Sequence, residues 1–214
     1  MNIKRFIVAL GIALTATSIS AYAQKAYTSG VVTMTTEMRG QPATIKAYFT
    51  PDSAALTFQA GPAAIKILTN AAKTYMAVVV DVSAFSVKKA AIANPDEIDQ
   101  AKAALPKFTF APTTETKQIS GFNCKKVVAT DAKDKKTYDI WVTNDITLPA
   151  SLMSDLYAGA GGVPIQYTSF NQGQSAPVTV TGVTDEKAPA GTFAIAADFD
   201  KITMDDLKAM SGGN

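Results

Sequence analysis

From Tyr27 to Val80 apolar and polar residues alternate with a period of two, and short turn signals interrupt the alternation. Val32, Met34, Thr36 and Met38 fall on one side of an extended chain, and Thr33, Thr35 and Glu37 on the other. Arg39-Gly-Gln-Pro42 reads as a turn, after which Ala43, Ile45, Ala47 and Phe49 alternate with Thr44, Lys46, Tyr48 and Thr50. Pro51-Asp52-Ser53 is a second turn, its proline pre-set for the first central position. Leu56 and Phe58, then Ile65 and Ile67, continue the apolar side. A sheet with one covered and one wetter face produces this pattern, and the short turns make it an antiparallel meander.

The middle of the chain changes character. Asn94-Pro95-Asp96-Glu97 combines a capping asparagine, a proline at the first helical position and two acids against the helix dipole. This predicts a helix to about Ala104, ahead of Pro106. The alanine-rich stretch before it, Ser83 to Ala93, is compatible with helix or loop. Strands resume at Phe108-Thr-Phe110 and continue through Lys117–Ile119, Asn123–Thr130 and Lys136–Thr143, with Asp131 to Lys135 as a hairpin loop. A short helix is expected after Pro149, stopping at Gly159 or at Gly161-Gly162. Val163–Phe170 and Ala176–Val183 add strands, and Thr192–Ile195 is a candidate for one more. Thr203-Met-Asp-Asp206 resembles a capping box, with Ile202 and Leu207 placed as a hydrophobic staple and Gly212 as the stop.

This predicts a mainly β chain with a few helices, built on an antiparallel sheet of about ten strands and interrupted by the helix at Asn94. Met34, Met38, Ile45, Phe49, Phe58 and Ile67 are the candidate lining of an apolar cavity under that helix. Ile98 and Leu105, two helical turns apart, are the helix residues expected to face it. Methionines in such a lining adapt to flexible chains.

The N-terminus has the three parts of a secretory leader: Lys4 and Arg5, the apolar run Phe6 to Leu14, and the small-x-small site Ala21-Tyr-Ala23. Cleavage is expected between Ala23 and Gln24, leaving residues 24–214 as a single domain in the periplasm or secreted. Thr15, Thr17, Ser18 and Ser20 break the apolar run well short of the about 20 residues a membrane span needs. The whole sequence has 20 Lys+Arg against 18 Asp+Glu; without Lys4 and Arg5 the balance is 18 against 18. A neutral chain with no basic stripe gives nucleic-acid binding no electrostatic basis.

Reactive groups are few. The sequence contains no histidine, which removes Ser-His-Asp and Cys-His machinery and histidine-ligated metals. Its single cysteine, Cys124, cannot form an internal disulfide and, on a strand, reads as a small buried hydrophobe. The acidic pairs Asp131/Asp134, Asp198/Asp200 and Asp205/Asp206 read as turn and cap carboxylates; Asp198/Asp200 lacks the glycine and distal glutamate of a calcium loop. Gly159-Ala-Gly-Gly162 has neither the lysine nor the hydroxyl residue of a phosphate loop. In Tyr138-Asp-Ile-Trp-Val-Thr143, Ile140 and Val142 point one way and Trp141 the other. That marks a central strand covered on both faces, with a helix the expected cover over Trp141 and a ligand the alternative. No catalytic residue, metal site or cofactor site emerges.

Thr116-Lys-Gln-Ile-Ser-Gly-Phe-Asn-Cys-Lys-Lys126, followed by Asp139-Ile-Trp-Val-Thr-Asn-Asp-Ile146, resembles an exported bacterial domain-of-unknown-function family of the DUF4412 type. The Gly-Gly-Val-Pro-Ile-Gln-Tyr167 strand and the Tyr-Phe-Thr-Pro-Asp-Ser53 hairpin fit the same resemblance. That family is similar in strand order and helix placement to the LolA-like periplasmic lipoprotein carriers, in which helices cap the concave face of an unclosed half-barrel. The resemblance implies a strongly curved half-barrel sheet with the Asn94 helix and its neighbours across the concave side, and a carrier for an apolar ligand, a lipid or a lipoprotein acyl chain. The alternative is a non-enzymatic module that binds another envelope protein and holds no small ligand. An empty apolar volume separates the two readings.

Overall fold

The alternation of the first half becomes a run of antiparallel hairpins in the computed structural model, which describes residues 24–38, 40–171 and 173–210. The expected leader, Arg39 of the first turn and the helix stop at Gly212 lie outside the described residues. A two-residue strand, β1 (Lys25–Ala26), precedes β2 (Gly30–Met38), β3 (Gln41–Phe49), β4 (Ser53–Ala60), β5 (Ala63–Asn70), β6 (Met76–Val82) and β7 (Val87–Ile92). From β2 to β7 each strand pairs antiparallel with the next. Helix α1 (Pro95–Ala103) follows, and then β8 (Phe108–Ile119), β9 (Phe122–Asp131), β10 (Thr137–Thr143) and β11 (Ile146–Thr147). A 3-10 turn at Asp155–Ala160 leads to β12 (Val163–Asn171), β13 (Gln174–Thr184), β14 (Asp200–Ile202) and α2 (Met204–Met210).

Twelve of these strands form one open, curved sheet in the order β14-β7-β6-β5-β4-β3-β2-β13-β12-β10-β9-β8, while β1 and β11 make a separate parallel pair. The join between the two halves is β13 against β2, with a bulge between Val180 and Gly182. Gly30 makes that junction possible. Its φ is +149°, and a Cβ there would sit 2.0 Å from the carbonyl oxygen of Thr184.

Register fixes which side chains share a face of the first half. Val32 opposes Ala47, Ala47 opposes Leu56, Leu56 opposes Ile67, Ile67 opposes Val78 and Val78 opposes Ala91. That apolar row crosses six strands. Both helices pack on this face: Ile98 and Met204 cluster with Ala91 and Ala93, and Met76, Val78, Ile202 and Leu207 pack against them. We call it the helix face.

The alanine-rich stretch is the β6–β7 hairpin, a 3-10 turn at Ser83–Phe85 followed by β7. Ala90 and Ala91 are each 0% exposed. Alanine suits this strand because both of its faces are covered closely, by α1 and α2 on one side and by the C-terminal chain on the other. Tertiary cover here outweighs the helical preference of alanine.

Helix α1 has the predicted start in full. The Asn94 side chain accepts from the Glu97 N–H, and the Glu97 carboxylate accepts from the Asn94 N–H, at 3.0 and 2.8 Å. The Thr203–Asp206 pair caps α2 in the same way. Thr192–Ile195, expected to extend, instead forms turns, with the Thr192 N–H donating to Pro189 O and the Ala194 N–H to Gly191 O. Where a helix is the expected cover of Trp141, the Lys117 ammonium lies 4.0 Å from its ring centroid. At the outer edge, β8 carries Pro112 and an irregular register between Pro112 and Thr116.

Candidate functional site

Two segments outside the regular elements decide which parts of the sheet stay open. The first is Leu148–Ala160. Leu148, Leu152 and Met153 pack on the cluster that contains Val32, Ala47 and Phe49, while Tyr157 and Ala160 pack on Val127, Ala129, Ile140 and Val142. Its anchors are the Ser151 hydroxyl, which donates to Thr50 O at 2.5 Å, and the Lys73 ammonium, which donates to Met153 O and to Asp155 at 2.9 Å. The Tyr157 hydroxyl donates to Thr168 O, and Gly161, at φ +79°, ends the 3-10 turn. Tyr157 and Tyr167 meet edge to ring at 5.4 Å, and burial pushes the Tyr167 phenol up to about 12.

The second segment is the C-terminal strap, residues 189–199. Phe193, Ile195 and Phe199 pack against Ala55, Leu68, Ala77, Val79 and Ala90 on the face opposite the helices. Lys66 holds the strap by donating to Ala194 O at 2.6 Å and Gly191 O at 3.3 Å. Desolvation lowers the Lys66 pKa below its ordinary value. At the end of the strap, ion pairs Lys88–Asp198 at 2.6 Å and Lys89–Asp200 at 2.7 Å fix the crossing of the sheet edge. The chain then continues as β14, parallel to β7.

Grooves lie beside both covers. One, of about 510 Å3, lies where α1 approaches the first segment and is lined by Ala71, Ala72, Lys73, Lys102, Met153 and Asp155 among others. Its lysines have partners: Lys73 as described, and Lys102 with Asp99 at 3.7 Å. The other, of about 470 Å3, lies on the strap face beside Phe199. Ala64, Val79 and Phe199 contribute side-chain carbon to it, and Lys46, Thr57, Gln59 and Asp81 contribute polar groups, while Phe58 and Ile65 border it with their side chains turned by register to the helix face.

The eight residues expected around a cavity are placed differently from one another. Met34 opposes Ile45, and register puts Phe49, Phe58 and Ile67 on the same helix face. Phe49, however, is 1% exposed and packed in the core under Leu148–Met153, and Met34 and Ile45 belong to that core. Met38 sits at the β2–β3 turn opposite Gln41. Ile98, 8% exposed, packs on Ala91, Ala93 and Met204 rather than over Phe49. Leu105 lies past the end of α1, its N–H bonded to Lys102 O, so it does not extend the Ile98 stripe. Of the eight, Phe58 alone lines either groove.

The remaining sequence candidates have structural partners. Asp131 and Asp134 accept from the N–H groups of Lys133 and Lys136 in their loop, at 2.7 and 2.9 Å. Cys124 is free and 1% exposed, with burial raising its thiol pKa. Among the described residues, no three His, Cys, Asp or Glu side chains gather as a metal site. None of the helices among them is long and apolar enough to cross a membrane.

The strap and Lys66 were not apparent as site residues. Their only sequence signal is Phe193, Ile195 and Phe199 in the stretch that follows Pro189 and Gly191, which reads as readily as a strand.

A family model described as a domain of unknown function, DUF4412, matches residues 9–199. No curated protein matches the chain. Among solved structures, PNGF-II in its C2 crystal form aligns at TM-score 0.50 and 20% identity, over 85% of this chain and 32% of that one. PNGF-II in a P21 form aligns at TM-score 0.51 and 20% identity, over 86% and 33%. This chain therefore spans about a third of the length of the PNGF-II structures. An uncharacterized conserved protein from Thermus thermophilus aligns at TM-score 0.50 and 9% identity, over 82% of this chain and 90% of that one. These likenesses concern the fold, and no lipoprotein carrier figures among the three.

Proposed function

We propose that this chain, which belongs to the DUF4412 family of domains of unknown function, is an exported, non-enzymatic binding protein for an apolar ligand such as an acyl chain. The observation that carries the reading is the groove of about 470 Å3 on the strap face, with Ala64, Val79 and Phe199 as its apolar side chains. Its volume falls within the range of small-molecule sites, about 300–1,000 Å3, and its mix of carbon walls with a few polar groups is typical of them. The ligand enters from the side beside the strap, rather than beneath α1, where Ile98 is already packed. Absence of histidine and the structural pairing of the carboxylates support a role without catalysis.

Titration with N-phenyl-1-naphthylamine, a neutral probe that brightens in apolar surroundings, tests this. Saturable binding is expected, and Ala64→Trp, which fills the groove from an exposed position, is expected to abolish it with the fold intact. No saturable binding, or binding unchanged by Ala64→Trp, refutes the reading. Close packing at Phe49 and Ile98 favours a second reading, a module that binds another envelope protein and no small ligand.

A further inference from the structure

We propose that the strap-face groove takes an amphiphile with an anionic head, and that Lys46 is the residue that receives that head. This rests on the reading of the groove as an apolar-ligand site and adds the chemistry of the ligand's polar end.

Lysines elsewhere on this part of the sheet are engaged. Lys66 bonds two strap carbonyls, Lys88 pairs with Asp198 and Lys89 with Asp200. Lys46 lines the groove, is exposed, and has no side-chain partner among the described residues. Its backbone carbonyl is taken by the Thr57 hydroxyl at 3.2 Å, which ties the backbone of β3 at that point to β4. The ammonium is thus a cation without a counter-charge at the margin of a groove lined by carbon.

The groove is also polarised. Its single carboxylate, Asp81, lies on β6, three strands from Lys46 on β3. At the usual strand spacing that is about 14 Å, beyond the Debye length of about 8 Å at physiological ionic strength. Asp81 is also occupied by the Ser83 hydroxyl at 2.6 Å. Lys66, on β5 between them, has its charge desolvated and balanced only by carbonyl dipoles. An anion at the β3 end meets Lys46 without meeting Asp81, and its chain is left to run along Val79 and Phe199. A carboxylate and a phosphate monoester both satisfy this geometry.

Competition against N-phenyl-1-naphthylamine tests the proposal, with palmitate, 1-palmitoyl lysophosphatidate and methyl palmitate as displacing ligands. Wild-type protein is expected to favour at least one of the two anions over the ester by about two- to fivefold, the scale of an exposed ion pair, and to lose that preference in high salt. Lys46→Gln is expected to erase the preference while ester and probe binding persist; Lys107→Gln, the same charge change on another exposed lysine, is expected to preserve it. Whichever anion shows the larger preference identifies the head. Equal displacement by anions and ester overturns the role of Lys46 and leaves apolar uptake standing. An equal effect of Lys107→Gln also overturns it, because the preference is then one of net charge. Failure of the probe itself to bind removes the underlying reading and this one together.

Discussion

The Lys66 ammonium reaches from the middle of β5 to the carbonyl oxygen of Ala194, 2.6 Å away and 128 residues later in the chain. One side chain of the central sheet thereby sets where the strap lies, and with it the wall that Phe199 gives the groove.

Lys66→Met retains the apolar stem and removes the donor. Hydrogen bonds from charged groups contribute about 1.5–3 kcal/mol, and the partial exposure of this one reduces that, so a loss near 1 kcal/mol is expected in urea unfolding. Amide exchange should accelerate in residues 189–199 and stay unchanged in β2 and β3. Unchanged exchange in the strap refutes the anchor.

Phe49→Ala tests where the core lies. At 1% exposure under Leu152 and Met153, Phe49 should cost the 3–5 kcal/mol of a fully packed phenylalanine. A cost below about 2 kcal/mol would reveal a void beneath the Leu148–Met153 segment, and with it a ligand space on the helix face.

Alkaline pH should destabilise the protein in two stages. The Cys124 thiol is raised above its ordinary 9.0 by burial, and the Tyr167 phenol is raised from 10.0 to about 12. The unfolded chain therefore releases these protons first, so the stabilising contribution is whole below the unfolded pKa and declines as pH rises past it. Loss begins near pH 9 from Cys124 and near pH 10 from Tyr167. Over the latter's two-unit window the loss is of order 2–3 kcal/mol. Burial also raises the Tyr157 phenol, so Tyr167→Phe should lessen but not abolish the fall of urea midpoints between pH 10 and 12, and Cys124→Ala should remove the earlier onset. Identical pH profiles for wild type and both variants contradict the burial assigned to these groups.

Export predicts a mature chain beginning at Gln24. Intact-mass analysis of protein from the envelope or the medium should find residues 24–214; a mass that includes Met1 in that fraction rejects cleavage after Ala23.

Local signals in the sequence carried most of the fold. Alternation from Val32 to Ile67 specified strands whose faces the register confirms, and Asn94-Pro95 located the start of α1 to the residue. Misreadings arose where distant chain decides local structure. Ala90 and Ala91 are strand residues only because helices and strap press on both sides, and neither cover is visible in Ser83–Ala93 itself. Phe193 and Ile195 have the spacing of a strand, but Lys66 draws their carbonyl neighbours into turns. For the site, the apolar face was legible and its occupant was not. Leu148–Met153 fills the space that the pattern alone assigns to a cavity, so the open groove falls on the other face.

A sheet of twelve strands that never closes has two borders, and each is a template on which foreign backbone could polymerise. At one border the parallel strand β14 offers three residues before α2 begins, too short a ledge to seed a fibre. At the other, β8 breaks its ladder at Pro112 and between Pro112 and Thr116, where a docking chain would lose both a donor and its register. Such frayed borders keep so extended a sheet from pairing edge to edge with another without its curling shut into a barrel, and leave its two broad faces to the segments that cover them.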